Sequence, residues 1–230
     1  MMPTTDADSR PKQFGNLDAN LRFIDDTGVL KTPADVLEIG TGMGTLLHRL
    51  HERGHRVAGV ERRQEFIEQA LARYGPLSIT RVEGTALPFA DKSFDTVLSF
   101  DVFEHIKDSD AHLREVTRVL RDGGSYLIQT PNKWTNAVFE TIRWRGLGWR
   151  DDHCSLHSLG ELIARFTRHG FVDIEAFDIP VVNDFFRAKV RQHLGPLGLA
   201  LLHLVNPDRL PLRFRTNLYV RATKGGAARQ

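Results

Sequence analysis

The nine residues from Val36 to Gly44, VLEIGTGMG, constrain this chain more than any other stretch. Val36, Leu37, Glu38 and Ile39 read as a buried strand, Gly40, Gly42 and Gly44 as a turn, and Leu46, Leu47 and Leu50 as the apolar stripe of a helix. Strand, glycine turn and helix in that order leave bare backbone at the carboxyl end of a strand, where nucleotide-like ligands sit. Alternate glycines permit positive φ and remove the Cβ atoms that would hold a ligand away.

The glycine spacing selects among ligands. A dinucleotide fingerprint has its third glycine one residue later, and a phosphate loop ends in Lys-Ser or Lys-Thr. VLEIGTGMG has neither. Glu38 sets a negative charge beside the turn, which repels a pyrophosphate and attracts the ammonium of an amino acid. A ligand with adenosine and a positive centre meets both conditions, and S-adenosylmethionine is such a ligand. An NAD-dependent oxidoreductase is the fold-level rival, and it requires the glycine that is missing.

Beyond the turn, strands are expected at 35–39, 55–60, 77–82, 94–100, 125–130, 171–178 and 217–223. Helices are expected at 17–30, 44–53, 63–74, 111–120 and 158–169, the last opened by a Ser158–Glu161 capping box. Asp122-Gly123-Gly124 reads as the stop of the fourth helix. This alternation specifies an α/β fold: a doubly wound, Rossmann-like sheet of seven strands, mostly parallel, with helices on both faces. Residues 1–33 read as a tail and helix, and 34–230 as the α/β domain, with residues 1–15 disordered or loosely docked. Two segments break the rhythm: an aromatic loop at 131–157 and an apolar, basic helical insert at 182–215.

With 230 residues, 41% of them hydrophobic, the chain suffices for one such domain and its core. A net charge of +2 without a basic run argues against a nucleic-acid partner, although Trp134, Trp144 and Trp149 interleave with Arg143, Arg145 and Arg150. Cys154 is the only cysteine, so neither an intrachain disulfide nor a thiolate zinc site can form. No apolar signal core and no apolar run of about 20 residues is present, so a cytoplasmic protein is expected.

Five segments stand in a recognisable order: VLEIGTGMG, Val60-Glu61, EGTALPFADKSFDTVLSFDVFEHI at 83–106, LRDGGSYLIQTPN at 120–132, and HGF at 169–171. In this the chain resembles the class I S-adenosylmethionine-dependent methyltransferases over roughly residues 34–178, specifically the small-molecule group related to ubiquinone-biosynthesis enzymes. The resemblance implies that Glu38 and Gly40 face the methionine part of the cofactor, and that Thr41, Gly42 and Gly44 shape the turn around it. It implies that Glu61, beside Arg62, accepts the ribose hydroxyls. Glu83 stands where relatives carry the Asp that contacts the adenine amino group, and this departure implies that the longer side chain either reaches differently or leaves the contact to the backbone of Gly84 and Thr85; Leu87 is implied to pack on the adenine face. Phe100 and Asp101 close the fourth strand at the ligand edge.

His105 and His153 are the candidate bases for an acceptor, with His157 a lesser candidate because it adjoins the Ser158 cap. Asp101, Glu104 and His105 partly match an arrangement that some relatives associate with a divalent metal; no metal is assigned here. The expected reaction is methyl transfer to a small, apolar or aromatic acceptor, O-methylation favoured, with the aromatic loop shaping the pocket. A lipid or saccharide-linked acceptor, or a catalytically silent cofactor-binding scaffold, are the alternatives. The insert 182–215 is a candidate for peripheral membrane or lipid contact, against a core-packing hairpin or a dimer surface.

Overall fold

The computed structural model describes residues 17–82, 86–143, 146–151 and 153–226. Its strands are β1 (Asp35–Ile39), β2 (Arg56–Glu61), β3 (Ile79–Arg81), β4 (Phe94–Phe100), β5 (Leu120–Pro131), β6 (Phe171–Phe177) and β7 (Asn217–Lys224). Its helices are α1 (Leu17–Thr27), α2 (Thr45–Glu52), α3 (Gln64–Tyr74), α4 (Ser109–Val119), α5 (Lys133–Arg143), α6 (Leu159–Arg168) and α7 (Asp184–Leu204). The seven strands form one sheet in the order β3-β2-β1-β4-β5-β7-β6. It is parallel from β3 to β5, while β7 runs antiparallel to both β5 and β6. The chain reverses direction across the sheet between β1 and β4, which opens a crevice at their carboxyl ends.

Alternation along the central strands supplies two cores. Leu37, Val97 and Ile128 face one side and pack with Leu113 and Val116 of α4 and Phe166 of α6. Val36, Leu98 and Leu127 face the other and pack with Phe23 and Ile24 of α1 and Leu50 of α2. Phe23 is fully buried, edge-on to Tyr219 at 5.2 Å and to Phe177 at 5.3 Å. Burial of such a ring contributes about 1.5–3 kcal/mol, which fixes α1 to the sheet beside the crevice.

Two segments depart from the sequence expectation, and the helical insert is kinked. Asp122-Gly123-Gly124 does not stop a helix before a strand: α4 ends at Val119, and β5 is already paired at Leu120, opposite Phe94. The next pairs are Thr96 with Ser125, so the intervening residues bulge, with Gly123 at φ 78°. Pairing with β4 captures the strand early and the glycines absorb the excess length. In the stretch expected as a loop, residues 133–143 form α5. Its start signal is Asn132, whose Oδ1 accepts from Trp134 N–H at 3.2 Å. The insert contains α7, capped by Asn183 Oδ1 on Phe186 N–H at 2.9 Å and kinked at Gly195, φ 64°, before Pro196. The Ser158–Glu161 capping box forms as expected.

Candidate active site

The turn after β1 is shaped by what its glycines leave out. A Cβ on Gly40, at φ 77°, would collide with the Val102 side chain, whereas one on Gly42, at φ 51°, would meet only open space. Gly42 and Thr41 line a cavity of about 1170 Å³ at the sheet's reversal, and Gly40 reaches it too. Gly44 is set back from it. A Cβ there would press on Ala70 of α3 at 2.9 Å, so its place is in packing the turn against α3.

Glu61, at the end of β2, is 9% exposed and closes the turn from outside. Its Oε2 accepts from Gly42 N–H at 2.8 Å, and its Oε1 accepts from the N–H groups of Arg62 at 2.9 Å and Arg63 at 3.0 Å. A carboxylate has about four acceptor positions, so three amides leave one for a ligand. Arg62 lines the cavity beside it. Glu38 also lines the cavity, is 6% exposed, and has no hydrogen-bond partner at Oε2 among the described residues. Burial pushes its carboxyl well above the ordinary carboxylate range; the Leu47 amide opposes this and the Glu61 charge adds to it. Thr41 Oγ1 is likewise buried and unpartnered.

Phe100 and Asp101 line the cavity where β4 ends. Asp101 adopts φ 54°, and a clasp with Gln129 of β5 holds it there. Asp101 N–H donates to Gln129 Oε1 at 2.9 Å, and Gln129 Nε2 donates back to Asp101 Oδ1 at 3.0 Å. Leu87 reaches the cavity from the buried core, its N–H donating to Glu115 Oε2 at 2.8 Å. Glu83, Gly84 and Thr85 lie outside the described residues.

His105 and His153, 48 positions apart in the sequence, come together on the cavity wall with ring centroids 5.1 Å apart. His105 follows the buried Glu104, whose Oε1 lies 4.0 Å from its Nε2 and whose Oε2 accepts from Thr130 Oγ1 at 3.1 Å. His153 Nδ1 is 3.2 Å from Asn136 Nδ2 of α5. An amide nitrogen can only donate, so Nδ1 accepts and His153 carries its proton on Nε2. His157 turns into the core instead, with Nδ1 2.7 Å from Ser155 O, and burial lowers its pKa. Among the described residues, no group of three His, Cys, Asp or Glu side chains could hold a metal ion.

Trp134 does not wall the pocket as the sequence suggests. Trp134 is 60% exposed, and the side chains of Trp144 and Trp149 lie outside the described set. Thr135 and Asn136 of the same helix reach the cavity instead. Sequence reasoning passed over three buried polar groups here: Gln129, Asn20 of α1 and Tyr219 of β7. Asn20 Oδ1 and the Tyr219 hydroxyl have no partner among the described residues. Burial raises the Tyr219 pKa, helped by the charges of Asp101 and Asp208. Their signal is a polar group in an otherwise apolar stripe, Tyr219 between Leu218 and Val220.

A family profile described as a methyltransferase domain matches residues 37–128. A probable S-adenosylmethionine-dependent methyltransferase of Mycolicibacterium smegmatis is 37% identical over 101 residues, 44% of this chain and 39% of the relative. Phosphoethanolamine N-methyltransferase 2 of Caenorhabditis elegans is 31% identical over 176 residues, 70% of this chain and 38% of that protein. The chain thus matches about two fifths of the length of each relative. The structure of Haemonchus contortus phosphoethanolamine N-methyltransferase 2 in complex with S-adenosyl-L-methionine shares the fold, with a TM-score of 0.65 at 22% identity over 91% of this chain and 53% of that one. The matched segment holds the glycine turn, Glu38 and Glu61, and the chain belongs to the class I S-adenosylmethionine-dependent methyltransferases.

Proposed function

We propose that this chain transfers a methyl group from S-adenosylmethionine to an oxygen of a small, apolar or aromatic acceptor. The observation that carries the reading is one cavity with Glu38 and Glu61 at the glycine turn and the His105–His153 pair on its wall. The residues present fit the cofactor. An unpartnered, buried Glu38 oxygen suits a cationic amino-acid end, the last acceptor position of Glu61 suits a ribose hydroxyl, and Leu87 offers an apolar surface to a base. The cavity volume lies above the roughly 300–1,000 Å³ of a single small-molecule site, which leaves room for an acceptor beside it.

The bound cofactor supplies a methyl carbon already activated by the sulfonium charge, so the protein's work is positioning and proton removal. His105 takes the acceptor's hydroxyl proton, imidazole being the side chain suited to that task near neutrality. His153, with its Nε2 protonated, orients the acceptor by donating. Tyr219 and Asn20 hold the acceptor's polar group from the β7 and α1 sides.

An amine acceptor is the second reading, favoured by the Asp101 carboxylate at the cavity wall and by the nematode relative's printed activity. Incubation of the protein with methyl-labelled cofactor and a metabolite and lipid extract, followed by mass spectrometry, tests both. A labelled ether or ester supports the first, a labelled amine the second, and no labelled product in any extract removes methyl transfer.

A further inference from the structure

We propose that the outer face of α7 docks on the surface of an anionic lipid bilayer. After the kink at Gly195, Leu197, Leu201 and Leu204 recur at the spacing of one helical face and are 84%, 59% and 82% exposed. Val205, just after α7, is exposed as well. The inner face of the same helix is buried at Val190 and Leu202, and Gly198 lets the two halves of α7 pack closely across the kink. The outer leucines are therefore surplus to the core.

Charge identifies the occupant. Between residues 182 and 215 the sequence holds six Arg and Lys residues and two acidic residues, Asp184 and Asp208, in a chain whose net charge is only +2. Asp208 is turned inward, its carboxylate accepting from Val181 and Val182 N–H at 3.0 and 2.9 Å. Arg191, Arg209 and Arg213 are exposed and carry no ion pair among the described residues. Exposed leucines and exposed, unpaired arginines on one segment match the apolar and anionic layers of a lipid surface. A two-fold contact with a second copy would set the same arginines against one another. No helix among the described residues is long and apolar enough to cross a membrane, so α7 lies on the surface.

The first half of α7 turns Phe186 and Val190 into the cavity. Docking thus brings the acceptor wall to the lipid, and the acceptor class this arrangement serves is an amphiphile that partitions into the bilayer; this last step rests on the methyl-transfer reading.

Co-sedimentation of the full chain with vesicles of phosphatidylcholine alone, or of phosphatidylcholine with phosphatidylglycerol, tests the docking without any turnover. Binding to the anionic vesicles is expected to exceed that to the neutral ones at least about tenfold and to weaken with salt. The exposed-site variant L197E/L204E should reduce it to the neutral level while its circular dichroism stays unchanged. Wild type left in the supernatant with both vesicles, or a variant that binds as well as wild type, overturns the proposal. So does a dimer in light scattering that L197E/L204E dissociates. Calorimetry with S-adenosylhomocysteine on the same samples keeps a failure of docking distinct from a failure of the cofactor reading.

Discussion

The amide of Gly42 donates to Glu61 Oε2 at 2.8 Å, tying the glycine turn after β1 to the end of β2 across the mouth of the cavity. Two further amides hold the other oxygen, so the carboxylate is aimed before any ligand arrives. A ribose diol offers two donors to a carboxylate with one acceptor position left, so full engagement exchanges the Gly42 bond for one to the sugar. Glu61→Gln keeps the shape and loses the charge-assisted bonds. Calorimetry with S-adenosylhomocysteine should show affinity weakened roughly 10- to 100-fold, the equivalent of about 1.5–3 kcal/mol. Unchanged affinity would mean that the sugar is not held here.

Glu38 makes a prediction of opposite sign for stability and binding. Its folded-state pKa is raised by burial above the ordinary value of 4.5, so the folded protein holds a proton that the unfolded chain releases, and stability falls as pH rises through that window. Glu38→Gln should raise the melting temperature of the ligand-free protein at neutral pH, with the gain vanishing below about pH 4.5. The same variant should bind S-adenosylhomocysteine more weakly, because the cation's partner is gone. Paired melting curves across pH check the first half and calorimetry the second.

His112 pulls the pH dependence the other way. It is buried against the Tyr126 hydroxyl at 3.1 Å, and burial lowers its pKa from 6.5 to about 4. The unfolded chain therefore binds a proton that the folded one refuses, and stability that is full above pH 6.5 is lost as pH falls towards 4. The loss is on the order of 3 kcal/mol over that interval. Urea denaturation of wild type and His112→Asn at pH 7 and pH 5 should show a smaller drop in the variant.

The two cavity histidines should separate in kinetics. His105→Ala is expected to lower kcat by about 100- to 10,000-fold without weakening S-adenosylhomocysteine binding. His153→Ala, which removes a donor held by Asn136, should act mainly through the acceptor's KM. Full turnover by His105→Ala on an identified acceptor would exclude it as the base.

Tyr219→Phe distinguishes a binding hydroxyl from a structural one. The hydroxyl is buried with no partner among the described residues, so its removal should leave stability unchanged or raise it by about 1 kcal/mol. An accompanying rise of roughly tenfold in the acceptor KM would assign it to acceptor binding, whereas an unchanged KM would not.

Sequence alone determined the glycine-turn end of the cavity, and tertiary structure decided its opposite wall. Val36 to Gly44 specify strand, turn and helix through neighbours in the chain, and Glu61 follows one strand later, so periodicity and glycine spacing suffice to place both carboxylates. The opposite wall draws Asn20 from α1, Gln129 from β5, Asn136 from α5, His153 from the loop after α5 and Tyr219 from β7. Their meeting depends on β7 inserting antiparallel between β5 and β6, which sets Tyr219 opposite Gln129. Local patterns carry no record of a pairing 90 residues apart. The same limit hid the early start of β5, where hydrogen bonds to β4 overrode the local stop signal of Asp122-Gly123-Gly124.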